Sequence, residues 1–255
     1  MQVRENKVKQ ILNSGGTIFS SSVRLPEPGL CEILGYAGFD FVLLDGEHGA
    51  VDKASIDRMT QSCFAADTVP VVRVLHNDDP ETIMHMLDLG VQGILIPHCR
   101  TADDALALKQ AAFYAPEGNR GFGPGRGTKW GRVALTDYFQ SINETILLLA
   151  LIEDPEGVEN VEDIAAAGLD CLWVGTGDLA MSFGVPGERK HPKVMQAVEK
   201  VLAACQKHNV ACGFPAGDAE EAAWAKEKGF RAIGFGCAEN YIMRTARQFL
   251  EPLGR

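Results

Sequence analysis

Short, unbroken apolar runs recur along the chain, and each of the later ones is followed by a longer stretch with helical spacing. The runs span Thr17–Ser20, Asp40–Asp45, Pro70–Leu75, Gly93–Pro97, Leu147–Glu153, Asp170–Gly175, Val210–Pro215 and Arg231–Gly236. Most show no apolar/polar alternation, the pattern of parallel strands buried on both faces. Helical patterns cover Ala54–Ala66, Asp79–Leu89, Thr101–Ala112, Val158–Ala166, Lys193–His208, Ala219–Lys228 and Ala238–Leu253. In the Lys193–His208 pattern, Val194, Ala197, Val198, Val201 and Leu202 fall at helical spacing. Asn77-Asp78-Asp79-Pro80 and Thr101-Ala102-Asp103-Asp104 read as helix starts, with Pro80 suited to the first turn.

Alternating β and α units imply a parallel sheet. Eight units in 255 residues predict an α/β fold closed into a (β/α)8 TIM barrel, one domain over residues 1–255. Two stretches interrupt the rhythm: the Gly/Pro/Arg-rich segment Tyr114–Arg132 and the shorter loop Ser182–Pro192. Long loops inside a compact domain are usually functional or disordered.

Composition narrows the range of partners. There are 24 Lys+Arg against 34 Asp+Glu, a formal net charge of -10. That balance argues against nucleic acid and anionic membranes, which both need basic patches. The longest apolar stretch, Ile146–Ile152, is far below the roughly 20 residues of a membrane span. The start, MQVRENKVKQ, lacks an apolar signal core. Seven cysteines, an odd number with no C-x-x-C, point to reduced thiols in a cytoplasmic protein.

In a (β/α)8 barrel, chemistry sits at the C-terminal ends of the strands. Polar residues stand at those ends here: Asp45-Gly46-Glu47-His48 after the second run, Arg73 in the third, His98-Cys99-Arg100 after the fourth, Glu153-Asp154 after the fifth, and Gly175-Thr176-Gly177-Asp178 after the sixth. Glu153 and Asp178 end neighbouring strands. Two carboxylates without a Cys or His partner suit an oxygen-preferring cation such as Mg²⁺ or Mn²⁺ acting as a Lewis acid on a keto acid. For a single carboxylate, a helix cap or surface charge is the commoner role; the paired placement shifts the balance toward a metal.

Histidine titrates near neutrality, so His48 is the natural general base, with Asp45 or Asp88 as a partner for its ring; a structural loop histidine is the plainer alternative. Arg73, inside the apolar segment VPVVRVL, needs an anionic partner, either a structural carboxylate or a substrate oxyanion. The Gly175-Thr176-Gly177 turn allows backbone amides to approach a carboxylate. Arg120, Arg126, Lys129 and Arg132 are either an anion-binding cluster or a solvated loop. His98-Cys99 makes a poor nucleophilic dyad, since adjacent strand residues point to opposite faces.

With these residues in place, the chain resembles the HpcH/HpaI aldolase family of metal-dependent, class II pyruvate aldolases. The matching segments are FDFVLLDGEHGAVD, VVRV, LDLGVQGILIP, YAPEGNRGFG, LIEDPEGVENVEDI, VGTGDLAMSFG and GFRAIGFG, in order, from Gly15 to about Leu253. The resemblance implies a phosphoenolpyruvate/pyruvate-type barrel that cleaves 4-hydroxy-2-oxo acids to pyruvate and an aldehyde with a divalent metal: Mg²⁺, Mn²⁺ or Co²⁺. It implies His48 as proton acceptor, Arg73 as the stabiliser of the enolate, and Asp88 as the acid that raises the basicity of His48. Glu153 and Asp178 become metal ligands, and Gly175, Thr176 and Gly177 hold the pyruvate carboxylate. It further implies a homo-oligomer, a trimer or hexamer, in which the C-terminal helix 238–253 packs on a neighbour through Tyr241, Ile242, Phe249, Leu250 and Leu253. The chain departs from the family pattern at Leu151, where many members carry Gln, at Val74 in place of Pro, and at Gly177 in place of Ala or Ser. Rival functions are a citryl- or malyl-CoA-type lyase or oxaloacetate decarboxylase on the same enolate chemistry, and a non-catalytic binding barrel.

Overall fold

The computed structural model describes residues 3–255. Eight parallel strands close into a barrel in chain order: β1 (Ile18–Val23), β2 (Phe41–Asp45), β3 (Val69–Arg73), β4 (Gly93–Ile96), β5 (Leu147–Ile152), β6 (Cys171–Val174), β7 (Ala211–Ala216) and β8 (Ala232–Cys237), with β8 pairing back onto β1. All eight expected strands are present, within a few residues of their sequence bounds. The helices are α1 (Lys7–Asn13), α2 (Pro28–Tyr36), α3 (Lys53–Ala65), α4 (Pro80–Asp88), α5 (Ala102–Ala112), α6 (Leu135–Thr145), α7 (Pro155–Glu159), α8 (Val161–Ala166), α9 (Thr176–Ser182), α10 (Pro192–Lys207), α11 (Ala219–Lys228) and α12 (Ala238–Leu250), followed by a 3₁₀ turn Glu251–Leu253.

Four helices were not expected. α1 and α2 precede the first periodic pattern, α6 follows the Gly-rich loop, and α9 fills the start of the loop after β6. The single helix expected over Val158–Ala166 is two short ones, α7 and α8, broken at Asn160, whose φ of -89° and ψ of 6° leave the helical region.

Period-two geometry divides the strand side chains into two cores. Outward residues such as Val42, Leu44, Val72 and Ile94 pack under the helices. Inward residues Ile18, Phe41, Val69, Val71, Leu95, Leu147, Leu149 and Leu151 fill the barrel, as expected where layers of side chains occupy the interior. Helix α1 closes the N-terminal end. Its Val8 and Leu12 join this inner core, and Asn6 donates to the Gln92 and Thr145 carbonyls.

The inner core is lopsided. Trp173 of β6 leans across the barrel over β7 and β8, where the inward positions are Gly213 and Gly234. A Cβ on Gly213 would lie 2.4 Å from the Trp173 ring and one on Gly234 2.7 Å from it. Phe41 meets the same indole edge-on, with centroids 6.2 Å apart at 86°. The two glycines make room for one large ring, which becomes the floor of the cavity above.

Gly213→Ala is therefore expected to overpack the barrel at a cost of about 1–3 kcal/mol. For a chain of this size that lowers the melting temperature by roughly 2–4 °C per kcal/mol. Thermal unfolding by circular dichroism checks it, and an unchanged melting temperature contradicts the packing described.

Candidate active site

The C-terminal mouth of the barrel gathers charge over an apolar floor. Asp45 ends β2 and is buried. Its Oδ1 accepts from Arg73 Nε at 2.9 Å and its Oδ2 from Arg73 Nη2 at 2.6 Å, a two-pronged pair. Arg24 Nε donates to Oδ2 at 3.2 Å, and the His48 backbone N–H donates to Oδ1 at 3.1 Å. Burial pushes the Asp45 carboxyl up, but the bond and charge of Arg73 outweigh it and hold the group below 3.8. The other face of Arg73 meets Glu47, with Nη1 2.9 Å from Oε2. That Glu47 oxygen is buried and makes no hydrogen bond, so the contact is an ion pair with the N–H directed elsewhere.

Glu153 follows β5 and is only 2% exposed. Its Oε1 accepts the His98 backbone N–H at 2.9 Å. Burial, aided by the charges of Asp178 and Glu47, pushes its carboxyl up to about 7, against the opposing pull of His98. A Cβ at residue 175 would lie 2.5 Å from the Glu153 Cβ, so Gly175 is the residue that lets β6 and the start of α9 close on this carboxylate. Asp178, in the first turn of α9, lines the same cavity.

His98 adopts a φ of 49°, uncommon for a residue with a Cβ. The turn aims its ring into the acidic group. Nδ1 lies 2.9 Å from Asp154 Oδ2, and Nε2 lies 3.7 Å from Glu47 Oε1. Burial works against protonating this ring, but the Asp154 hydrogen bond and the charges of Glu153, Asp154 and Glu47 raise its pKa above 6.5. Donor atoms of Glu47, His98 and Glu153 all lie within 4.8 Å of one another, a spacing that suits one cation. The sequence places Glu47 and His98 on the rim but marks neither as a metal ligand. Their approach depends on the left-handed backbone at His98, which no sequence pattern announces.

The cavity has a volume of about 310 Å³. Leu43, Leu95, Leu149, Leu151 and Trp173 form its floor, and Asp45, Arg73, Glu153, Thr176 and Asp178 stand on its walls. A larger hollow of about 900 Å³ opens near the N-terminal ends of the strands, around Lys9, Glu117 and Asp170. It holds none of the strand-end carboxylates, so its size does not make it the chemical site.

Two expected residues stand apart from this group. The His48 ring is 56% exposed at the rim, with Nε2 3.7 Å from Glu47 Oε2. Asp45 holds the His48 backbone, not its ring. Asp88 does not meet His48 within one chain: it closes α4, and a barrel helix runs antiparallel to its strand, which carries Asp88 away from the mouth. There Arg120 Nη2 donates to Asp88 Oδ1 at 2.6 Å. Arg126 pairs with Asp57. These two arginines of the Gly-rich segment are thus tied to carboxylates and do not form an open anion cluster. Tyr241 also differs from expectation, since its hydroxyl meets Ser21 at 2.9 Å and its ring stacks on Phe39, while Ile242, Phe249, Leu250 and Leu253 stay exposed.

A charged mouth over a filled parallel barrel defines an α/β-barrel enzyme. Residues 22–243 match the sequence profile described as HpcH/HpaI aldolase/citrate lyase. A 5-keto-4-deoxy-D-glucarate aldolase of Klebsiella pneumoniae is 35% identical over 247 residues, covering 96% of this chain and 95% of that protein. Among solved structures, an HpcH/HpaI aldolase/citrate lyase family protein of Burkholderia cenocepacia superposes with a TM-score of 0.91 at 32% identity, covering 98% of this chain and 100% of that one. An HpcH/HpaI aldolase of Desulfitobacterium hafniense gives 0.88 at 28%, covering 95% and 96%. The chain belongs to the HpcH/HpaI aldolase family, and it is an enzyme of the carbon–carbon lyase type.

Asp45→Asn leaves the buried Arg73 with Glu47 as its nearest carboxylate. The expected loss at neutral pH is about 3 kcal/mol, the low end for breaking a buried pair. Because the folded carboxyl lies below its unfolded value, the stability it contributes is complete above the unfolded pKa and is lost as pH falls through the folded one. Denaturant unfolding at pH 7 and pH 3 should show the gap between native and variant narrowing at pH 3. A gap that stays constant contradicts the pairing.

Proposed function

We propose that this enzyme is a divalent-metal-dependent aldolase that reversibly cleaves a 4-hydroxy-2-oxo acid into pyruvate and an aldehyde. The observation that carries this reading is the convergence of Glu153, Asp178 and Glu47 at one end of the barrel. There, burial and the charges of Asp178 and Glu47 raise the Glu153 carboxyl, an effect a bound cation would offset. The carboxylates of Glu153 and Asp178 offer only oxygen donors, which fit Mg²⁺ or Mn²⁺ and also accept Co²⁺, and Glu47 and His98 bring donor atoms within 4.8 Å of a Glu153 oxygen. Glu153 and Asp178 would hold the ion. When bound, it supplies a positive charge that polarises the 2-keto group of the substrate.

The remaining work falls to the chain itself. Arg73 is held rigid by Asp45 and Glu47, so its guanidinium stabilises negative charge as it develops on the keto oxygen without first reorganising. The Gly175-Thr176-Gly177 turn, pressed against Glu153, receives the substrate carboxylate. His48, open at the rim, takes the proton of the 4-hydroxyl, directly or through water. The C3–C4 bond breaks, C4 leaves as the aldehyde, and the bond pair becomes the pyruvate enolate, which is protonated at C3. The relatives named for 5-keto-4-deoxy-D-glucarate point to a sugar-derived acid as the substrate type.

Two further features extend the reading. The exposed apolar face of α12, carrying Ile242, Met243, Phe249 and Leu250, suits packing on a second copy in a homo-oligomer. All seven cysteines are free and buried, in keeping with a reducing cytoplasm. No helix among the described residues is long and apolar enough to cross a membrane.

Retro-aldol turnover of a 4-hydroxy-2-oxo acid should vanish in EDTA and return on adding Mn²⁺; full activity in the chelator removes the metal from the account. Glu153→Gln should lose calorimetric Mn²⁺ binding in the presence of pyruvate, and undiminished binding would show that the ion sits elsewhere. His48→Ala is expected to lower kcat about 10²–10⁴-fold, while a native rate in that variant excludes His48 as the base.

A further inference from the structure

Arg189, in the loop between α9 and α10, holds two elements of the mouth at once. Its Nε donates to Thr176 Oγ1 at 3.1 Å and its Nη2 to the Pro215 carbonyl at 2.5 Å. Both donors lie on one edge of the planar guanidinium, so their spacing is fixed. That edge ties the first residue of α9 to the end of β7. On the outer side, Glu221 Oε2 lies 3.7 Å from Nη2 and accepts the Gly217 backbone N–H at 2.5 Å. Nη1 sits on this β7–α11 side too, 4.0 Å from where a Cβ on Gly217 would stand. Four elements thus fix one side chain, and its working edge faces Thr176.

A hydroxyl group carries one proton and two lone pairs. The Thr176 oxygen uses a lone pair to accept from Arg189, so its own hydrogen must point elsewhere. Among the described residues that hydrogen has no acceptor. Thr176 is only 2% exposed, and it lines the cavity beside Glu153 and Asp178. A buried donor without a partner is costly, and a hydroxyl that accepts from a cation is polarised into a stronger donor. The wall of the cavity therefore carries an oriented O–H group whose acceptor has to come with a ligand.

We propose that Arg189 is a positioning residue: without touching the substrate, it orients the Thr176 hydroxyl as a hydrogen-bond donor to the carboxylate at the reacting end of the keto acid. The inference rests on the aldolase reading, which puts that carboxylate against the Gly175-Thr176-Gly177 turn, and adds the side chain that sets the turn's hydroxyl. A hydrogen bond to a carboxylate is of the stronger, charge-assisted kind. The carboxylate keeps its charge while the C3–C4 bond breaks, so the bond is worth the same before and during the reaction. It acts on binding and leaves the chemical step alone. Without Arg189 the hydroxyl is free to rotate, and part of that binding is lost.

The test is calorimetric binding of pyruvate to the Mn²⁺-loaded enzyme in a double-mutant cycle of Arg189→Met and Thr176→Val. Each single variant should weaken pyruvate binding about tenfold. The double variant should be no weaker than Thr176→Val alone, because Arg189 acts through that hydroxyl. Thr176→Ser and Arg189→Lys should keep part of the affinity, and Mn²⁺ affinity measured without pyruvate should stay native throughout. In retro-aldol turnover, Arg189→Met should raise KM about tenfold with kcat within about threefold of native. Unchanged pyruvate affinity in Arg189→Met, an additive loss of about a hundredfold in the double variant, a matching loss of Mn²⁺ affinity, or a loss carried by kcat with KM unchanged overturns the proposal. Should Arg189→Met fail to fold, Arg189→Lys takes its place in the cycle. Its loss of pyruvate affinity must then appear in the native background and vanish in the Thr176→Val background, and no loss, or an equal loss in both, is equally fatal. A native enzyme that binds Mn²⁺ but no pyruvate sinks the aldolase reading, whereas native pyruvate binding that ignores Arg189 sinks only this one.

Discussion

The mouth of the barrel is organised around the two-pronged pair between Asp45 and Arg73. An arginine at the top of a filled barrel, with only 11% of its side chain exposed, persists only where carboxylates meet it. Asp45 satisfies one edge and Glu47 the other. The same Asp45 also accepts the backbone of the turn that carries His48 and one edge of Arg24. One buried carboxylate thus sets the geometry of three elements, and its own charge is secured by the arginine it holds. What this pair does not balance is Glu153, whose burial beside Asp178 and Glu47 raises its carboxyl to about 7. A cation bound there would offset that cluster of carboxylates.

Beneath the charges, the floor is apolar and tightly filled. Trp173 spans the barrel because β7 and β8 offer only Gly213 and Gly234 opposite it. Leu151 stands beside it, paired with Trp173 across β5 and β6. An apolar floor cannot hydrogen-bond a substrate, so orientation must come from the walls, where Arg73, Glu153 and the Gly175 turn stand. An apolar, low-dielectric base under those groups also strengthens each electrostatic contact made above it.

Most of the strands were legible because a parallel strand buried on both faces is apolar along nearly its whole length, which makes Phe41–Asp45 or Leu147–Ile152 visible without periodicity. The missed helices lacked that clarity. α2 starts with Pro28-Gly29 and buries only Cys31 and Leu34. α6 follows a segment whose glycines and arginines read as loop. Arg73 and Glu153 stood out because a charge at the end of an apolar run has few structural excuses. Asp88 stands apart from His48 within one chain because α4 carries it to the other end of the barrel, beside Arg120, and helical spacing does not say which end a residue reaches. Arg24, which bonds Asp45 from just beyond β1, was discernible only by extending the alternation of Ile18, Ser20 and Ser22 past the strand.

The central claim is that a cation sits between the carboxylates of neighbouring strands at this mouth. Anomalous diffraction from crystals grown with Mn²⁺ and oxamate tests it most directly. The account predicts one manganese peak with Glu153 and Asp178 oxygens at roughly 2.0–2.3 Å, and the oxamate carboxylate against the Gly175-Thr176-Gly177 turn. A peak held by Glu47, His98 and Glu153 with Asp178 remote, or no peak at the mouth at all, would contradict it.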